Sequence, residues 1–262
     1  MANLSRSAKS GSDWTLNDLD SYHISLNQLD PLTFFGVQEL PEASVDQELL
    51  NNDDATTLQN DEHAQLLTYL DLAMIPDIGE TAVDDFAVKL FNILGYTRRH
   101  RVARTRVDLP LFICGETRHA KTDVCIVDRS QNDILLLVQE EKRLMKLEPF
   151  RAQAQLVAET VAAFNENNAQ RQPAELPPLD EKVMPGIVMV GTSPTFFKIP
   201  VTETLSTHIR YGTYPSEETH VTFCYPPIPR PSHRRSEGMK PLDNRGGILK
   251  CYEAFKAVVG IA

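Results

Sequence analysis

Residues 121–143 read KTDVCIVDRSQNDILLLVQEEKR. The division of that stretch into elements decides the fold. Two apolar runs, 124–127 and 134–138, are separated by the turn-forming pair Asn132-Asp133, and each has the length and β-branched content of a strand. Side chains alternate along a strand, so extending the second run into its charged end puts Glu140 and Lys142 on the face of Leu136 and Val138, with Glu141 pointing away. Asp123 heads the first strand. One carboxylate on a strand, with a second carboxylate and an ammonium on the next, suits a hard divalent cation: the oxygens hold the ion, and the lysine balances charge or serves a water molecule. Taken alone, Glu140-Glu141-Lys142-Arg143 also reads as a solvated strand end.

Working outward, the elements on either side have clear periods. Leu66, Leu67, Leu70 and Ala73 fall at helical spacing, and Pro76 and Gly79 stop that helix. Val83, Phe86, Ala87, Leu90, Phe91 and Leu94 predict a stronger helix from about 80 to 94, ended by Gly95. Glu80 opens it on the side of the apolar stripe, as a charge matched to the helix dipole or as a site residue. Residues 105–114 alternate as a strand with one wet face. Past the central pair, 151–170 is a helix with Leu156, Val157, Val161 and Phe164 on one face and the alanine stripe Ala154, Ala158, Ala162 on another. The run 186–191, bounded by glycines, is a buried strand. The order over residues 80–200 is therefore helix, three strands, helix, strand, a mixed α/β (α+β) arrangement. After the glycine-bounded run come a strand at 196–201 and then, in the extension 201–262, a helix at 203–211, a strand at 221–225 and a closing helix at 248–259.

Charge is uneven. The net charge is −10, yet 17 of the 36 acidic residues and only 3 of the 26 basic ones lie in residues 1–95. The remainder is mildly basic. Residues 1–62 show no sustained period and are expected to form an acidic, largely irregular arm, apart from a short helix near 46–50. As a tail it is simply solvated; as an acidic cover it would bind a protein partner or a basic cleft through Phe34 and Phe35. One domain is expected over 63–262. The densest basic cluster is Arg98, Arg99, Arg101, Arg104 and Arg106, either an array for phosphates or a wet edge strand. A second lies in the proline-rich stretch 226–245, expected to be a long basic loop, where Arg234 and Arg235 are adjacent.

Several classes are excluded. There is no apolar run of about 18 residues, and the first residues lack the apolar centre of a secretory signal, so no leader is expected. Cys114, Cys125, Cys224 and Cys251 have neither zinc-ligand spacing nor a disulfide framework, which fits reduced thiols in an intracellular protein, cytoplasmic or nuclear. No nucleophile elbow or phosphate-cradling glycine loop occurs, and His63, His119, His208 and His220 are isolated.

With these residues in place, Asp123, Glu140 and Lys142 resemble the D…(D/E)-x-K signature of the PD-(D/E)xK nuclease-like superfamily, Thr122 standing where its Pro would be. The order of elements resembles that superfamily's restriction-endonuclease-like αβββαβ core. The resemblance implies Mg2+ or Mn2+ held by Asp123 and Glu140, with Glu80 as a further ligand, Lys142 serving the nucleophilic water, and a supporting glutamine on the helix after the motif. Gln153 and Gln155 both qualify, and spacing does not choose between them. It implies hydrolysis of DNA or RNA; a catalytically silent binding or regulatory module is the other outcome. The blocks VDDFAVKLFNILGY, TDVCIVD, ILLLVQEEKR and SEGMKPLDNR also look like an uncharacterised fungal family within the superfamily, which carries no activity with it.

Overall fold

The computed structural model describes residues 6–75, 81–141 and 150–262. In chain order it runs through α1 (Leu16–Ser21), β1 (Ile24–Gln28), α2 (Pro31–Phe35), α3 (Gln47–Asn51), α4 (Asp61–Met74), α5 (Thr81–Ile93), β2 (Arg101–Ile113), β3 (Glu116–Asp128) and β4 (Asp133–Glu140). There follow α6 (Arg151–Arg171), β5 (Glu181–Val190), β6 (Ser193–Thr202), α7 (Glu203–Tyr211), β7 (Thr219–Cys224), α8 (Arg234–Glu237) and α9 (Leu242–Val259). The strands make one seven-stranded mixed sheet in the order β1-β7-β6-β5-β4-β3-β2. β1–β7 and β4–β5 are parallel and the other neighbours antiparallel. The expected succession of helix, three strands, helix and strand is α5-β2-β3-β4-α6-β5.

Helices cover both faces, as the two-sided burial of β3, β4 and β5 requires. On one face, α6 with α1 and α7 packs Leu156, Val157, Phe164, Trp14, Leu19 and Ile209 against Leu137, Val188 and Phe197. On the other, α4, α5 and α9 bury Leu66, Phe86, Leu90, Tyr252 and Phe255 against Val124, Val138, Ile187 and Phe196. Alternate residues of β4 and β5 serve the two faces, so neither strand has a wet side. α6 is the crossover between the parallel strands β4 and β5. It approaches β5 so closely that a Cβ on Gly186 would lie 2.7 Å from a methyl of Leu156, so any larger residue there would have to displace the Leu156 side chain. Among the described residues, no helix is long and apolar enough to cross a membrane.

Two expectations are corrected. Residues 6–62 are not a largely irregular arm. β1 pairs in register with β7, Ile24 opposite Thr219, and Trp14, Leu19, Tyr22, Phe34 and Leu49 are all almost fully buried. Elements of five or six residues are too short to display a period. Their capping signals are local: Asp30, Asp46 and Asp54 each accept a backbone N–H at a helix start, which accounts for several of the acidic residues. Gly11 sits over Ala120 and Ala158, so the alanine stripe of α6 accommodates this segment as well as the sheet.

The basic stretch 226–245 is likewise not an open loop. It contains a 3-10 turn, α8 and the start of α9. Its cations are engaged within the chain: Arg230 with Glu237 and Asp243, and Lys240 with Asp71. Arg245 is buried to 2 % exposure.

Candidate functional site

β3 and β4 pair antiparallel with Val124 opposite Val138 and Cys125 opposite Leu137. One step further along, the side chain of Asp123 takes over from the backbone. Its Oδ2 accepts from the Glu140 amide and from Gln139 Nε2, both at 2.7 Å. β2 pairs Thr105 with Val124 and Val107 with Thr122, skipping Arg106, whose φ of 53° lies in the left-handed region. The pair Arg106–Asp123 is thus missing from a ladder whose register is otherwise unshifted.

The alternation read from the sequence recurs on β4. Leu136 and Val138 face the layer of α5 and α9, while Leu137 faces α6, as does Gln139 through its bond to Gln155. Gln139 is 5 % exposed. Its Nε2 also reaches the Glu140 carbonyl at 3.1 Å, and its Oε1 accepts from Gln155 Nε2 at 2.9 Å. Gln155 Nε2 in turn donates to Glu159 Oε1 at 3.1 Å. Residues 155 and 159 are one helical turn apart on the sheet-facing side of α6.

Glu159 is fully buried. Burial, and then the neighbouring Asp123 charge, push its carboxyl well above the usual carboxylate range, against the smaller opposing effects of Gln155 and the Thr122 hydroxyl. Burial therefore favours its neutral form. Its Oε2 has no hydrogen-bond partner among the described residues. Thr122 spends its own hydroxyl on the Val124 and Val138 carbonyls.

The structure thus brings Asp123, Glu140 and Gln155 into one neighbourhood. Gln153 lies elsewhere on α6, buried, with its Oε1 unpartnered among the described residues; two positions along a helix is about half a turn. Glu80 and Lys142, expected as metal ligand and catalytic lysine, lie outside the described residues. Glu141 accepts from Arg235 Nη2 through its Oε1 at 2.8 Å. Sequence reasoning missed Gln139 and Glu159. The available signals were a lone amide at the end of an apolar strand and a glutamate four residues after Gln155 in an otherwise apolar helix face.

The arginines expected to contact phosphates divide. Arg101 donates to the Gly95 and Tyr96 carbonyls and so caps the chain after α5. Arg106 lies 4.0 Å from the buried carboxylate of Asp84, and Arg234 stacks on Tyr225 at 3.5 Å. Arg98, Arg99 and Arg104 are exposed. Asp84, on α5, is a further carboxylate that the sequence did not mark.

As to metal binding, Asp123 and Glu140 supply hard carboxylate oxygens, the donor class that Mg2+ and Mn2+ take. Among the described residues, no group of three or more His, Cys, Asp or Glu side chains is gathered closely enough to hold a metal ion. The chain matches no protein-family model and no curated protein.

Proposed function

We propose that this chain is a metal-dependent nuclease-like protein of the PD-(D/E)xK type, hydrolysing phosphodiester bonds of DNA or RNA at Asp123 and Glu140. The observation that carries the reading is the 2.7 Å contact between Asp123 Oδ2 and the Glu140 amide. It ties the Asp123 carboxylate to the backbone of Glu140 on the neighbouring strand, inside a helix, three strands, helix, strand succession like that of the restriction-endonuclease-like core. Asp123 and Glu140 would hold Mg2+ or Mn2+, with Glu80 as a further ligand. When bound, such a cation supplies charge that offsets the phosphate oxygens and acidifies a water molecule. Lys142 is assigned to orienting that water, Gln155 to supporting the aspartate through Gln139, and Arg98, Arg99 and Arg104 to holding the substrate backbone. Four free cysteines accord with an intracellular setting, cytoplasmic or nuclear.

The test is cleavage of single- and double-stranded DNA and RNA by the purified full chain in Mn2+. We expect activity that falls at least about 100-fold in Asp123→Asn and in Lys142→Ala, the scale on which removal of such groups acts. Absence of cleavage, or cleavage undiminished in both variants, overturns the enzymatic assignment.

One observation favours the other reading, a catalytically silent nuclease-like module. Asp123 Oδ2 already accepts two hydrogen bonds, and the predicted nucleic-acid residues Arg101, Arg234 and Arg235 are engaged within the chain. Calorimetric titration with Mn2+ separates the two readings, since the enzyme binds the ion and loses it in Asp123→Asn.

A further inference from the structure

We infer that Gln139 is the positioning residue of this site: its side-chain amide, fixed from behind by Gln155 on α6, sets the orientation of the Asp123 carboxylate. The inference rests on Asp123 being a metal-holding residue and adds to that assignment the group that aims it.

The direction of every bond in the chain follows from Asp123. An ionised carboxylate only accepts, so the Gln139 atom 2.7 Å from Oδ2 is the amide nitrogen. The carbonyl oxygen of Gln139 then faces α6 and accepts. The atom of Gln155 at 2.9 Å from it must therefore also be nitrogen, which sends its second hydrogen to Glu159 Oε1. Gln139 places its own second hydrogen on the Glu140 carbonyl. All four amide hydrogens of the two glutamines are used, and neither amide can turn over without setting like against like. The two amides hold one another in place because turning either over unpairs hydrogens that are now used.

The same oxygen of Asp123 that receives the Gln139 amide receives the Glu140 backbone N–H. Two donors converging on one carboxylate oxygen fix the carboxylate plane. A residue merely filling the α6 face of β4 would need neither this convergence nor the bond to Gln155. Leu137, two residues back on the same face, fills its place with carbon alone.

The experiment uses the full chain with Gln139→Leu and Gln139→Glu. Leu keeps the bulk and removes both donors, while Glu keeps the shape and turns an acceptor toward Asp123. Hydrogen exchange is followed at two neighbouring amides: Glu140, which donates to Asp123, and Glu141, which donates to the Met189 carbonyl at 2.8 Å. Both variants should speed exchange at Glu140 about tenfold, the scale of one charge-assisted hydrogen bond, and leave Glu141 as it was. In parallel, Mn2+ affinity by calorimetry should weaken about tenfold, as for other groups that orient a metal ligand.

Exchange at Glu140 unchanged within about twofold, or sped equally at both amides as general loosening would do, overturns the positioning role. So does an undiminished Mn2+ affinity in a variant whose Glu140 amide has loosened. A wild-type chain that binds no Mn2+ overturns the metal-site reading instead, and the pair of amides still decides whether Gln139 holds Asp123.

Discussion

The guanidinium of Arg245 donates to four carbonyls: Met239 and Lys240 just before its own helix, and Leu49 and Asn52 near the start of the chain. Burial lowers its pKa, but an arginine keeps its charge, so those four dipoles are what solvate it. Arg245→Leu would leave them without a donor in a site closed to water, and unfolding in urea should show a loss of about 3 kcal/mol. Arg245→Lys should lose a large part of the same amount, because an ammonium has three donors and no planar fork. In the sequence, Arg245 reads as one more cation of a basic stretch; composition cannot tell a cation aimed at phosphate from one aimed at backbone. Gln139 is the converse. It looks like filler between an apolar run and a charged one, yet it touches the one aspartate the sequence did single out. Asp123 and Glu140 were legible because strand parity and spacing are local. The group that backs Gln139 comes from α6, and nothing in one strand announces which turn of a helix will face it.

At the scale of elements, the long ones declared themselves. α5, α6 and the central strands run 8 to 21 residues, enough for a period to repeat, and the structure places helices and strands over those stretches. The front of the chain did not, because α1, β1, α2 and α3 are bound by tertiary packing rather than by any repeat of their own. A shortened chain beginning at residue 63, which the uneven charge invites, would strip Trp14 and Phe34 from the two cores and uncover the edge of β7. It should fail to give a cooperative thermal transition in circular dichroism. The milder Phe34→Ala in the full chain should cost about 3–4 kcal/mol. A truncated chain melting as sharply as the full one would show the front segment to be dispensable.

Across the whole molecule, the acidic front and the basic rear offset one another. Lys250 pairs with Glu42, Lys240 with Asp71, and the Ser44 amide reaches Glu253. Hydrogen bonds hold several carboxyls below their ordinary values: Thr33 at Asp30, the Gln59 amide and then His63 at Glu48, Arg230 at Glu237 and Asp243. Each of these groups takes up its proton at lower pH when folded than when unfolded. Its contribution is complete above the ordinary value of 4.5 for Glu or 3.8 for Asp and is lost as pH falls through the folded value. These groups should therefore make the urea midpoint decline below about pH 4.5, whereas the buried Glu159 carboxyl, raised in the folded chain, acts in the opposite sense and costs stability as pH rises above 4.5. Arg230→Met should make that decline shallower by releasing Glu237 and Asp243. A midpoint that rose on acidification below about pH 4.5 would contradict the ion-pair assignments.

The parallel pairing of β1 with β7 also carries a timetable. Ser25 and His220 face each other across 195 residues of chain. At a synthesis rate of 5–20 residues per second, the first strand emerges about 10–40 s before the strand it pairs with exists. Through that interval Trp14, Phe34 and the bare edge of β1 are exposed to whatever else is nearby. Non-local closure of this kind is slow even in the finished chain. The nascent protein therefore has a vulnerable period set by the ribosome, in which a holdase chaperone would make the difference between a closed sheet and an aggregate.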